Sequence, residues 1–379
     1  MVGLAVALQK QGLQVGLACN PAMHPLARRA GLEPIGLGAA LGQEQAAQKP
    51  LAWDQWLAPP SGLTWTKECE LTFRSEAEQL LEVLRPEDVL IGSRNLPFLS
   101  LIATARGCHW VQVGFNSGAM IDHTQLKSRL THGHPWKRGI EKLERSLRDR
   151  LLGDMAGDGD PPPLLRLHAI PELFVPHNYP QLPCQHTGFW CWDDPCWQKW
   201  SPPLKLKRLL ERKPAPLALA FSSQPVVDPV AVVCRHLEVA ERLGTTLIVV
   251  KGWAFGCQEL PTALTENSNL YVVERMPFSW LFPHLHTVFI HGGMGTLAQA
   301  LRVGCRVVIE PYGNDQFLNA RLALEQGLAL AVHPHRFDPS EVANAVNLLK
   351  HPGKRLKKGA FDGIAKSSKY LVNKLSKLC

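Results

Sequence analysis

Two parallel α/β domains in series are the fold this sequence predicts, and three observations predict it. A chain of 379 residues is long for one domain and ordinary for two of roughly 100–200 residues each. From Leu217 onward, short runs of Val, Ile and Leu recur at regular intervals between helix-patterned segments, the rhythm of a parallel sheet. Between Asp193 and Pro216 that rhythm stops in a Pro/Lys-rich stretch with little periodicity. The expected division is therefore a domain over 1–192, a linker over 193–215, and a second domain over 216–379.

In the first domain, Leu4, Ala5 and Leu8 stand at helical spacing and Gly12 supplies a C-terminal stop. A strand is expected over Leu13–Cys19, then a helix ending at Arg28-Arg29-Ala30-Gly31 and another strand. Residues 39–62 read as a Gln/Ala/Pro-rich loop. A helix over Glu68–Leu84 leads to a strand at Asp88–Gly92, and a further step ends in Trp110–Phe115. The stretch Lys127–Arg150 carries Lys127, Arg129, Lys137, Arg138, Lys142, Arg145, Arg148 and Arg150 against Glu141, Glu144 and Asp149. A solvated helix face explains such a run; the sharper reading is a surface for anionic lipid headgroups, each basic residue contributing about 1 kcal/mol near a membrane. The rhythm of such a domain normally opens on a strand, whereas this sequence opens on a helix.

In the second domain, strands are expected at Leu217–Phe221, Thr246–Val250, Leu270–Val273, Thr287–Ile290, Arg306–Ile309 and Leu328–Val332. The tail from Lys354 to Cys379 reads as a basic amphipathic helix.

Composition narrows the function classes. Hydrophobic residues make up 45% and charged residues 20%, which excludes disorder as the dominant state. The net charge of +8 favours an anionic partner without choosing one. Ten cysteines without paired spacing argue against a disulfide framework. No apolar run reaches the roughly 18–20 residues a membrane helix needs, and the N-terminus lacks a basic lead and a cleavage site. The expected location is the cytoplasm, with peripheral membrane contact as an addition. The basic residues are scattered and no recognition motif is present, which disfavours nucleic acid.

The segment His291-Gly292-Gly293-Met294-Gly295-Thr296-Leu297-Ala298-Gln299 follows the apolar strand and opens a helix. Glycines at such a turn let backbone N–H groups approach a ligand, and the helix dipole favours negative charge there. One α/β step later come Asp315 and Gln316, after the next strand and so at the same carboxyl-end face. A carboxylate accepts from two sugar hydroxyls, and an amide both donates and accepts.

The run from Pro216 to about His351 resembles the donor domain of GT-B glycosyltransferases, specifically the UDP-glycosyltransferases that act on sterols, macrolides and glycopeptides. The resemblance rests on Leu219–Ser223, Met276–Phe282, His291–Gln299, Asp315-Gln316 and Asn319-Ala320, in that order, with Thr187–Trp190 before the linker. It implies two Rossmann-like domains facing across a cleft. It also implies that Ser222, Ser223, His291, Gly293, Gly295 and Thr296 hold the donor pyrophosphate. Met276, Trp280 and Gln299 would take the uridine, and Asp315 and Gln316 the transferred sugar. The reaction implied is inverting and needs neither metal nor cofactor, because the turn itself stabilises the departing UDP. The implied acceptor is a hydroxyl on an apolar molecule such as a sterol-like lipid or polyketide.

In that family the base lies on the loop after the first strand, ahead of the first helix. The sequence begins inside that helix, so the N-terminal domain is expected to be incomplete. Three readings stand: a start further upstream, a truncated inactive chain, or a substitute base. Asp122-His123 is the best substitute by residue type, ahead of His109 and His24. The rival to transfer is a non-catalytic nucleotide-sugar-binding protein; an epimerase of the same architecture is a third reading.

Two stretches carry residue types that bind metals. Asp158-Gly159-Asp160 lies in a Gly/Pro loop, where a solvated acidic turn is the better explanation. Cys184, His186, Cys191 and Cys196 lack Cys-x-x-Cys pairs, so core thiols are expected there and no metal. Trp190, Trp192, Trp197 and Trp200 are expected to pack near the domain junction.

Overall fold

The structure is a computed structural model that describes residues 1–38, 66–93, 96, 98–122, 135–153, 161–255, 258–313, 315–349 and 353–378. The described residues form two compact units. One draws on Met1–Leu41, Pro60–Trp192 and Asp362–Cys379, and the other on Asp193–Phe361.

In the first unit, helix α1 (Val2–Gln9) precedes strand β1 (Gly16–Cys19), helix α2 (His24–Arg29) and strand β2 (Glu33–Gly36). Helix α3 (Lys67–Val83), strand β3 (Val89–Ser93), helix α4 (Leu99–Arg106) and strand β4 (His109–Gly114) follow, then helix α5 (Pro135–Leu152) and strands β5 (Leu165–His168) and β6 (Gln185–His186). The pairings between these strands are all parallel, in two separate ladders, β1–β2 and β3–β4–β5–β6. Leu4 and Leu8 of α1 bury against Val111, Val113 and Leu167, while Ala5 turns to Ala27 and Leu32. Helix α5 buries Leu143 and Leu147, one turn apart, and leaves Lys142, Arg145 and Arg150 exposed, as its amphipathic pattern requires.

The second unit contains helix α6 (Leu204–Leu210), strand β7 (Leu217–Leu219), helix α7 (Pro229–Arg242) and strand β8 (Leu247–Val250). Helix α8 (Thr262–Thr265), strand β9 (Leu270–Val273), helix α9 (Phe278–Leu281) and strand β10 (Thr287–Ile290) come next. Helix α10 (Met294–Val303), strand β11 (Arg306–Ile309), helix α11 (Gln316–Glu325), strand β12 (Leu330–Ala331) and helix α12 (Pro339–Asn347) complete it. Its six strands run parallel in the order β12-β11-β10-β7-β8-β9. The chain winds one way from β7 to β9 and the other way from β10 to β12. The switch point falls between β7 and β10, and ligands of open α/β sheets bind at the carboxyl ends there. Strands β7, β8, β10 and β11 are buried along their whole length, which is why they read as apolar runs interrupted only by Thr287 and Arg306 at the starts of β10 and β11.

The division differs from the one expected at two places. Residues 193–215 pack with the second unit and include α6, whose Leu206 and Leu209 are buried. The last helix, α13 (Gly363–Leu375), returns to the first unit, where Leu371 joins the Leu4 and Leu8 cluster. Amphipathicity announced that helix but not the sheet it covers. The tryptophans divide at the same boundary: Trp190 meets Phe115 edge-on at 5.3 Å, while Trp200 meets Trp280 at 5.0 Å. No helix among the described residues is long and apolar enough to cross a membrane.

Candidate functional site

Three loops meet at the carboxyl ends of β7, β10 and β11. After β10 the chain enters His291-Gly292-Gly293 and then α10, with Gly293 at the N-cap. No side chain caps this helix, so its first-turn N–H groups are left for another acceptor. Gly295 faces open space, and Thr296 is buried in the first turn. His291 is 7% exposed, and its Nδ1 is buried with no hydrogen-bond partner. Burial pushes its imidazole down to about 4, so the ring is neutral at physiological pH. A Cβ at position 293 would collide with His291 Nε2, which explains a glycine there. A neutral ring, free N–H groups and a helix N-terminus together suit the oxygens of an anion.

After β7 the chain turns at Ser222, a non-glycine residue held at φ 56°. Such a conformation costs on the order of 1 kcal/mol and persists only where the surroundings impose it. Trp253 N–H donates to Ser222 O at 2.9 Å, and a Cβ on Gly252 would sit 2.9 Å from that same oxygen. Gly252, at φ +52°, is therefore needed for the close approach of the β8 loop. Ser223 is exposed beside it.

The β11 loop is braced from inside. Gln316 Oε1 accepts from Tyr312 N at 2.8 Å and Gly313 N at 3.1 Å, and its Nε2 donates to Gln224 Oε1 at 2.7 Å. That engages both lone pairs and one N–H of the amide, leaving a single N–H for any ligand. Asn319 Nδ2 donates to Gly292 O at 2.9 Å and to Asp315 Oδ2 at 2.7 Å. Gln316 thus ties the β11 loop to the β7 loop, and Asn319 ties it to the β10 turn. Burial raises the Asp315 carboxyl above its usual range, while the bond from Asn319 pulls the other way. Asp315 remains half-buried.

Beneath the loops lies Glu310, completely buried at the end of β11. Arg235 and Tyr312 both donate to Glu310 Oε1, and His236 Nε2 stands 3.1 Å from Oε2. Burial alone would raise this carboxyl, yet His236, Arg235 and Tyr312 together hold it below the ordinary carboxylate range. The same burial, with Glu310 beside it, raises Tyr312 well above a usual phenol. This network fixes Tyr312, whose N–H meets Gln316.

The remaining expected residues are less gathered. Met276 is buried, and Gln299 on α10 is half-buried with a buried, unpartnered Oε1. The Trp280 ring is occupied by Trp200 and by His284 at 4.7 Å. Asp122 is buried in the first unit, with its backbone N–H on Pro180 O at 2.7 Å. His123 and Asp158–Asp160 lie outside the described residues. Sequence reasoning named Asn319 without a task, and it missed Gln224, Arg235, His236 and Glu310. An Asn on the first turn of a helix after Asp315 was the available signal for the first; the others show only once β7 and β11 are in place.

Residues 252–360 match the family model for the C-terminal domain of erythromycin biosynthesis protein CIII-like proteins. A sterol 3-beta-glucosyltransferase of Arabidopsis thaliana is 35% identical over 136 residues, covering 36% of this chain and 22% of that protein. The chain spans 14–22% of the length of the first sterol glucosyltransferases it matches. The O-mycaminosyltylonolide 6-deoxyallosyltransferase of Streptomyces fradiae is 29% identical over 351 residues, 85% of this chain and 79% of that one. Among solved structures, the calicheamicin glycosyltransferase CalG4 superimposes with a TM-score of 0.67 at 18% identity, covering all of this chain and 95% of that one. A spinosyn rhamnosyltransferase solved with thymidine diphosphate gives 0.60 at 18% identity, covering all of this chain and 92% of that one.

Proposed function

We propose that this chain, which matches the GT-B glycosyltransferase superfamily and is related to sterol and macrolide sugar transferases, moves a hexose from a UDP-sugar to a hydroxyl of an apolar acceptor. The observation that carries the reading is the uncapped N-terminus of α10 beside the buried, unpartnered Nδ1 of His291, at the switch point of a parallel sheet. In this reading the first-turn N–H groups, Thr296 and His291 hold the donor pyrophosphate, with Ser222, Ser223, Gly293 and Gly295 around it. Asp315 takes the sugar hydroxyls, and Gln316 adds its one remaining N–H. Met276, Trp280 and Gln299 surround the uridine.

The acceptor oxygen attacks the anomeric carbon, its proton passes to a base, and the bond to UDP breaks with inversion. Negative charge gathers on the leaving pyrophosphate, where α10 already points its dipole and donors, so no metal is required. The base belongs to the first unit in this reading, with Asp122 and its neighbour His123 as candidates. The basic face of α5 adds peripheral contact with an anionic membrane, from which a lipid acceptor would be taken.

The test is release of UDP from UDP-glucose in the presence of sterols and polyketide aglycones, with thymidine diphosphate-glucose as the competing donor. Transfer with a β-linked product supports the reading. A folded chain that binds UDP-glucose and releases no UDP with any acceptor is a nucleotide-sugar-binding protein instead.

A further inference from the structure

The strand pair β5–β6 in the first unit carries a cluster that the donor site does not use. His168, the last residue of β5, is register partner to His186 of β6, so both side chains stand on one face of the ladder. Cys184, two residues before His186, continues the same alternation onto that face. One ring nitrogen of each histidine and the Cys184 sulfur all lie within 4.8 Å of one another. The Cys184 Sγ to His186 Nε2 separation is 3.7 Å, and the two rings are 5.1 Å apart between centroids.

His168 is prepared as a ligand. It is fully buried, and its Nε2 lies 2.8 Å from the Asn116 carbonyl, which only accepts. The proton is thereby fixed on Nε2 and the lone pair on Nδ1, a buried atom with no partner. A backbone carbonyl on the far nitrogen is the usual means of orienting a metal-bound histidine. His186 Nδ1 is likewise buried without a partner. A polar atom left unpaired inside a protein is costly unless something occupies its lone pair.

We infer that His168, Cys184 and His186 form a binding site for a divalent thiophilic metal ion of the zinc type. Two imidazoles and a thiolate are a zinc donor set, and three protein ligands leave a fourth position for water or another ligand. Around a tetrahedral zinc, bonds of about 2.0–2.3 Å place ligand atoms about 3.3–3.6 Å apart, so the cluster needs to close only modestly. Binding breaks the Cys184 S–H bond, and the proton leaves to solvent as the S–metal bond forms. The site involves neither the α10 turn nor Asp315, and stands whether or not the chain transfers sugar. Core thiols are the expectation for the Cys184–Cys196 stretch; in this proposal the residue that completes the set for Cys184 and His186 is His168, sixteen residues upstream of Cys184 and invisible to local spacing, while Cys191 and Cys196 stay outside it.

Cobalt(II) titration of the full chain, followed by its thiolate-to-metal charge-transfer absorption, and zinc content after dialysis test the inference. The expected result is one equivalent of metal with a thiolate band. Cys184→Ser should lose the band, and His186→Gln should weaken affinity more than about tenfold. Cys191→Ser, which is outside the cluster, should leave both unchanged. Both informative variants alter half-buried residues, and circular dichroism verifies that they fold. Equal metal binding by the wild type and a folded Cys184→Ser, His186→Gln double variant overturns the inference, as does loss of the band in Cys191→Ser alone.

Discussion

Asn319 donates a 2.7 Å hydrogen bond to Asp315, one helical turn before it, while the same amide nitrogen holds the Gly292 carbonyl at 2.9 Å. One side chain thus sets both the orientation of the carboxylate proposed for the sugar and the position of the turn proposed for the pyrophosphate. Removing it leaves a buried carbonyl without its donor, at a cost of about 1–3 kcal/mol. Asn319→Ala should therefore raise KM for the donor and lower kcat together. Asp315→Asn, which keeps the shape, should lower kcat more than about tenfold with UDP affinity retained. Because burial raises the Asp315 carboxyl, the acidic limb of kcat/KM should lie above the range of an ordinary aspartate and vanish in Asp315→Asn. Wild-type kinetics in either variant would remove these residues from the site.

His291 gives stability a pH dependence of definite sign. Its folded value of about 4 lies below its ordinary 6.5, so the folded state resists protonation. Stability from this group is complete above pH 6.5 and drains away as pH falls toward 4, by up to about 3 kcal/mol. Denaturant midpoints measured from pH 7.5 to 4.5 should fall less steeply in His291→Gln than in the wild type. Parallel curves would show that the ring protonates freely in the fold.

Glu310 is bound by Arg235, His236 and Tyr312 with no exposure to water. Glu310→Ala leaves the half-buried Arg235 guanidinium and the buried His236 imidazole without their shared carboxylate, and breaking such a buried set costs about 3–5 kcal/mol. Urea unfolding should register that loss, along with weaker donor binding through the Tyr312–Gln316 bond. A change below about 1 kcal/mol would mean the network is dispensable.

Helix α5 offers Lys142, Arg145 and Arg150 on its exposed face, although Arg150 is paired with Glu78 at 2.5 Å. Cosedimentation with phosphatidylserine vesicles should be strong at low salt and decline as salt rises, and Lys142→Glu/Arg145→Glu should weaken it. Binding unaffected by salt and by these changes would exclude the electrostatic contact.

Much of the fold was legible because burial on both faces writes itself as apolar runs: Thr287–Ile290 and Arg306–Ile309 coincide with the expected strands. Strands β5 and β6 escaped because Leu165–His168 alternates with Arg166 and His168, and β6 is only two residues long. The C-terminal helix was legible as an element but not in its destination, since amphipathicity gives a face and no partner. At the site, His291, Thr296 and Asp315 were visible through their turn chemistry. The Gln224–Gln316 and Glu310–His236 contacts were not, because each joins positions more than seventy residues apart that only the sheet order brings together. The His168–Cys184–His186 face depends likewise on strand register.

If the α10 turn holds a pyrophosphate, calorimetric titration of UDP and uridine into the wild type and His291→Ala measures that contact. The wild type should bind UDP more than about tenfold tighter than uridine, and the variant should lose most of that difference while its uridine affinity stays the same. Equal affinity for UDP and uridine in the wild type, or an undiminished preference for UDP in a folded His291→Ala, would show that the turn does not hold the pyrophosphate.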